Sequence, residues 1–280
     1  MTVDLTEVFE KYEALTRDVD ALFAQVKGLC GDMVACKPGC SDCCHALFDV
    51  SLVEALYLNH HFRKLHAEGA SRDRIIARAE EADRAHYKLK RKAFKATEKG
   101  VPTTQILADL AKERIRCPLL SDEDRCDLYD HRPVTCRLYG LPLDIGGQGH
   151  SCGQSGFAPG GEYPTVKIEK LQDRLMLLAQ EFVEDIPTKY PGLADMLIPV
   201  SMAVLTEYDD EYLGVIPPGE ADAAPAVAQP DAGAPLQNDA CASCDESPSS
   251  DACKSCKSGA GEHSWVIPGP DPDKRGEGDE

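Results

Sequence analysis

No stretch of this 280-residue chain is both long and apolar enough to cross a bilayer. The longest greasy run, LIPVSMAVL at 197–205, falls far short of the about 20 residues that a membrane helix needs. The N-terminus, MTVDLTEVFEKYEAL, lacks the basic residues and apolar run of a secretory signal, so the expected compartment is cytoplasmic. Positive charge is scarce: 48 acidic residues against 30 basic ones leave a formal net charge of −18. That balance argues against a general nucleic-acid binder. Strand–helix alternation is missing, and with it the expectation of a parallel-sheet α/β fold. Apolar residues are not missing. At 42% they suffice for a core without covalent staples.

Against these absences stands sulfur. Thirteen cysteines in a reducing compartment point to metal binding or catalysis rather than to a disulfide framework. An odd number leaves at least one thiol unpaired in any all-disulfide scheme, and a bridge between adjacent Cys43 and Cys44 would be strained.

The pattern predicts a mainly α fold, a helical scaffold carrying two cysteine-rich metal-binding loops, with a disordered acidic C-terminal tail. Val8, Tyr12, Leu15, Val19, Leu22 and Val26 share one face of a helix over about 3–27, with Gly28 as its stop. Ser51 and Glu54 form a capping box that opens a second helix, ending near Gly69. A third helix runs from Ser71 to about Lys99, with Ile75, Ala79, Ala82, His86 and Leu89 along one side. A shorter one follows Pro102. Two more are expected around 165–185 and 193–207. The cysteine-rich segment 117–152 reads as ordered loop with a turn or two of helix.

Residues 1–216 therefore form the expected helical domain, with its motif core at 30–152. From Pro217 to Glu280 thirteen acids face four bases, so half of the net charge sits in this tail. Its Pro/Ala/Asp-rich part, 217–240, is too poor in apolar bulk to fold. A small C-x2-C-x8-C-x2-C unit follows at 241–256, then an acidic stretch at 257–280 expected to be disordered. Cys241, Cys244, Cys253 and Cys256 are candidate ligands, since two C-x2-C pairs can build a four-thiolate zinc or iron site.

The first loop reads CKPGCSDCC. Cys36, Cys40 and Cys43 are spaced to wrap one metal or three corners of an iron–sulfur cube. Cys44 leaves the backbone in another direction, so the 43/44 pair is expected to serve two metals or two parts of a cluster. Cys117, Cys126, Cys136 and Cys152 supply four further thiols. Eight are enough for two four-sulfur zinc sites, or for one iron–sulfur cluster with four to spare. Cys30 is expected to pack against the first helix. His45, His131 and His150 are read as exposed or outlying, because sulfur alone fills the coordination. Arg132 and Arg137 could offset thiolate charge and donate hydrogen bonds to sulfur, and Arg132 could equally pair with Asp127 or Asp130.

CKPGCSDCC, followed by CPLL, CDLYDHRPVTCR at 126–137 and a final Cys152, resembles the YkgJ-type cysteine-cluster family. That family is described as a zinc- or iron-chelating domain, and flagellin lysine N-methylases are among its relatives. The resemblance implies that Cys36, Cys40, Cys43, Cys44, Cys117, Cys126 and Cys136 belong to the family's cluster, with Cys152 a looser assignment. It implies metal binding more firmly than enzymatic activity.

Other motifs carry less. C-x3-C-x2-C also resembles the cluster motif of radical S-adenosylmethionine enzymes, but Asp42 stands where those usually place an aromatic residue, and their βα repeats are missing. LDIGGQG at 143–149 resembles the glycine loop of Rossmann-type methyltransferases, yet Gln148 occupies the second glycine position, and a turn between ligand loops reads better. The stretch 84–99, with seven Lys/Arg against one Glu, is a solvated helix face or a dock for an acidic partner, for RNA or for the acidic tail. The expected function is a cytoplasmic zinc- or iron-binding module that handles metal or holds a partner. The alternative is an iron–sulfur enzyme or electron carrier, related to protein lysine methylation. Zinc and an iron–sulfur cluster both remain open as cofactor.

Overall fold

The computed structural model describes residues 3–37, 39–158 and 161–217. The linker beyond Pro217, the tail C-x2-C unit and the acidic end lie outside the described residues. Among the described residues there are seven α-helices and only five strands, each of two or three residues.

Helix α1 spans Thr6–Cys30 and buries Val8, Tyr12, Leu15, Val19 and Val26 on one face. It runs through Gly28 and stops at Gly31, whose φ of 56° is the left-handed region that glycine tolerates at a helix end. Strand β1, Asp49–Ser51, leads directly into α2, Leu52–Leu65. The capping box is present: Ser51 Oγ accepts from the Glu54 N–H, and the Glu54 carboxylate accepts from the Ser51 N–H. Leu52, Val53, Ala55, Leu56, Leu58 and Phe62 are all buried, so α2 is surrounded by protein and forms the centre of the fold.

Helix α3, Ala70–Glu98, is the longest; Ile75, Ala79 and Ala82 are its buried residues. Helix α4, Thr103–Leu110, is shorter than the pattern suggested. Helix α5, Val134–Leu138, packs on α1. A hairpin follows, made of β2 (Leu143–Ile145) and β3 (Gln148–His150). Gly146 and Gly147 hold φ of 60° and 80°, the combination a tight two-residue hairpin turn requires. The GG of LDIGGQG is thus a hairpin tip, not a loop between a strand and a helix. Strand β4, Val166–Lys167, adds in parallel to β2 and opens α6, Ile168–Glu184.

The single helix expected over 193–207 is instead three pieces. A 3-10 turn at Leu193–Asp195 precedes strand β5, Leu197–Pro199, and then α7, Val200–Leu205. Pro199 explains the break, because the residue before a proline is driven to extended backbone. β5 pairs antiparallel with β1, Val50 opposite Ile198. This clip sets the starts of α2 and α7 side by side, and α7 packs on α2 and α3. At its far end, the buried Asn59 amide donates to the carbonyls of Ala203 and Thr206, each at 2.9 Å, capping the short helix.

Candidate metal centre

The first thiol loop leaves α1 through a 3-10 turn at Gly31–Met33 and re-enters the fold through another at Asp42–His45. In that second turn the Cys44 N–H donates to Ser41 O, and the Ala46 N–H to Cys43 O. This tight winding turns two consecutive side chains the same way. The Sγ atoms of Cys43 and Cys44 lie 4.0 Å apart. Two sulfurs bound to one tetrahedral zinc at about 2.3 Å would be about 3.8 Å apart. The pair, expected to serve two metals or two parts of a cluster, is also spaced so that both thiols could reach one ion.

Backbone pairing brings in the second segment. The Cys117 N–H donates to Cys44 O at 2.7 Å and the Ile115 N–H to His45 O at 3.2 Å. The chain then doubles back: Leu120 bridges Cys126, the Asp127 N–H reaches Leu119 O, and Asp124 turns the corner at a φ of 54°. Asp tolerates that conformation better than most residues. The doubling back sets Cys126 beside Cys117. Pro133, with its fixed φ, then caps α5, and α5 carries Cys136. The Val134 N–H at the start of α5 donates to Glu54 Oε1 at 2.9 Å. One buried carboxylate therefore holds the starts of both α2 and α5.

Cys43, Cys44, Cys117, Cys126 and Cys136 line one cavity together with Arg132. Cys36 and Cys152 do not line it. The Cys36 thiol donates to Tyr139 O at 2.9 Å. The Cys152 thiol donates to Asp42 Oδ2 at 3.4 Å, the same oxygen that accepts from the Tyr139 hydroxyl at 3.0 Å. The other Asp42 oxygen meets Arg114 at 2.7 Å. Burial pushes the Asp42 carboxyl up, but Arg114 and the hydrogen bonds from Tyr139 and Cys152 outweigh it and hold it below the usual range. Cys40 sits half-buried on the same loop. The eight thiols thus fall into a cavity group of five and three outside it, of which Cys152 bonds Asp42 and Cys36 bonds Tyr139 O. Cys30 ends α1 with its side chain in the core.

All nine described cysteines are free thiols. Burial pushes Cys126 and Cys36 up to about 11 and Cys117 and Cys152 up to about 12. Cys136 is driven well above its ordinary value, first by burial and then by its neighbours Cys43, Cys117 and Cys126. Cys43 is raised first by its contact with Cys44. Metal-free, these six raised thiols are held protonated and neutral, and a thiophilic ion must displace those protons. Among the described residues, no three His, Cys, Asp or Glu side chains are already drawn together to hold an ion. The donors fit a soft metal by chemistry and by the 43/44 separation, and the side chains must close on it.

Arg132 is the cation that acts on most of the sulfurs, easing the burden on Cys36, Cys43, Cys126 and Cys136, while Arg78 does so for Cys117. It does not pair with Asp127, which Arg78 takes at 2.7 Å. Its guanidinium lies 3.6 Å over the Tyr129 ring and its Nε donates to Tyr129 O. Arg137, expected to share that task, is committed elsewhere. It bonds Asp20 at 2.6 Å and the carbonyls of Arg132 and Asp130, and so braces the turn that presents Arg132. His45 bonds Ser41 O, His150 ends β3, and His131 stacks on His61; none of the three lines the cavity. Two residues that do line it, His86 of α3 and Ser201 of α7, carry no sequence signal, since neither stands near a cysteine in the chain.

Residues 35–153 match the family model CxxCxxCC, described as "Putative zinc- or iron-chelating domain". Over this stretch the chain is similar to that family. The family resemblance read from the cysteine spacing and the family match agree, and the match supports a metal-binding role. The domain takes in all eight candidate thiols from Cys36 to Cys152. No curated protein and no solved structure matches the chain. No helix among the described residues is long and apolar enough to cross a membrane.

Proposed function

We propose that the chain is a cytoplasmic metal-handling or interaction protein whose CxxCxxCC domain holds zinc or iron on the cavity thiols. The observation that carries this reading is the convergence of five cysteines, from segments more than seventy residues apart, on the cavity that Arg132 also lines. A bound thiophilic ion would supply either a structural cross-link or, as an iron–sulfur cluster, redox chemistry. The chain's own residues would supply the soft donors, the compensating Arg132 charge and, through buried neighbours, exclusion of water. Cys36, Cys40 and Cys152 are proposed as the flanking ligands that complete the set, and the tail cysteines 241, 244, 253 and 256 as a separate site.

Stretch 84–99 is proposed as the surface for an acidic protein partner. Tyr87 and Phe94 are 66% and 64% exposed there, two turns apart on one face of α3.

The deciding experiment is anaerobic purification of the full chain with measurement of zinc, iron and acid-labile sulfide. Zinc without sulfide is expected for the metal-handling reading. Iron with stoichiometric sulfide and a colour bleached by dithionite would move the function to iron–sulfur chemistry. A chain free of both metals, unable to take up either, would end the proposal.

A further inference from the structure

The cavity is not lined by sulfur alone. Phe48, Leu58 and Val200 make part of its wall apolar, and among them stand His86 and Ser201. Ser201 is 1% exposed, and its hydroxyl has no hydrogen-bond partner among the described residues. Buried hydroxyls are rarely left unpaired, because desolvation without a replacement bond is costly. The His86 ring is also without a hydrogen bond among the described residues, and burial, against the pull of Asp49, holds its imidazole below the ordinary value. With Arg132, three donor-bearing groups face the space beside the thiols. Of these, the Ser201 hydroxyl is the one buried group left with no acceptor among the described residues.

We propose that the cavity admits a small monoanion beside the metal, with Ser201 Oγ–H and a His86 N–H donating to it. The guest class is that of azide, formate or hydroxide: small enough for an apolar-walled space and an acceptor for the orphaned hydroxyl. The guest would then compete with one of the cavity thiols for the metal, which would separate an exchanging site from one closed by sulfur on all sides. The inference rests on the metal-binding reading above.

The test uses the full chain loaded anaerobically with cobalt(II), whose absorption bands report its ligands. Sodium azide is titrated into wild type, Ser201→Ala and His86→Gln. Wild type should show a saturable band shift. Ser201→Ala should bind cobalt equally but azide about tenfold more weakly, as expected for one lost hydrogen bond, and His86→Gln should weaken azide similarly. Metal-free Ser201→Ala should melt no lower than wild type, since alanine removes an unpaired group. Cobalt bound with bands indifferent to azide overturns the inference and leaves the metal site standing, whereas failure to bind cobalt overturns both. Equal azide affinity in wild type and Ser201→Ala, or a variant melting well below wild type, would assign the hydroxyl a packing role only.

Discussion

Gly140 leaves no room beside the Cys36 sulfur. A β-carbon there would overlap Cys36 Sγ, and the backbone φ is 97°, a conformation that side chains resist. Gly140→Ala is expected to cost about 1–3 kcal/mol, read as a lowered unfolding midpoint in urea; an unchanged midpoint would mean that the loop relaxes freely. His61 offers a second residue-scale prediction. It stacks on His131 with centroids 3.5 Å apart, and burial, then the His131 ring, holds its imidazole down to about 4. An unfolded histidine titrates near 6.5, so between these values the unfolded chain binds the extra proton. Stability is then fully present above about pH 6.5 and drains away as pH falls toward 4. His61→Gln should flatten that part of the melting-temperature profile, and superimposable profiles would refute the coupling. At this scale the sequence shows the thiols, because spacing marks them. It hides His86, which sits in line with Ile75, Ala79 and Ala82 and reads as one more inward position.

The element scale turns on Glu54. Its carboxylate is buried, raised above the usual range by burial, and bonded both to Ser51 and to the Val134 N–H. Glu54→Ala should destabilise by about 1–3 kcal/mol for each backbone N–H left unpaired. Glu54→Gln, which keeps an acceptor, should lose less; equal losses would show that charge, not hydrogen bonding, is what α5 needs. The capping box was legible because its residues are three apart, while the Val134 contact spans eighty positions and left no trace. Helix ends were misplaced for a related reason. Gly28 looked like the stop of α1, but a glycine within a helix costs only about 1 kcal/mol, which packing of Val26 and Cys30 outweighs. The short strands of the 143–150 hairpin and of the β1–β5 clip are too brief to show alternation, and only Gly146–Gly147 announced a turn.

At the scale of the molecule, the mainly helical plan and the two cysteine segments were readable in the chain, but how the thiols divide between cavity and flank was not. That division depends on which backbone groups pair, above all Cys117 with Cys44. A chain ending at Ile216 should keep the cavity site and melt within a few degrees of the full chain, which would bind about one further ion if its tail cysteines form a four-thiolate site. Equal metal content in the two, measured per chain, would remove the tail site. The Cys117–Cys44 pairing also sets an order in time. A ribosome adding about 5–20 residues per second delivers Cys117 roughly 4–15 s after Cys44, so Cys36 to Cys44 emerge as bare thiols with no partners to close over them. During that interval any oxidant or stray ion that meets the nascent loop competes with the rest of its own site.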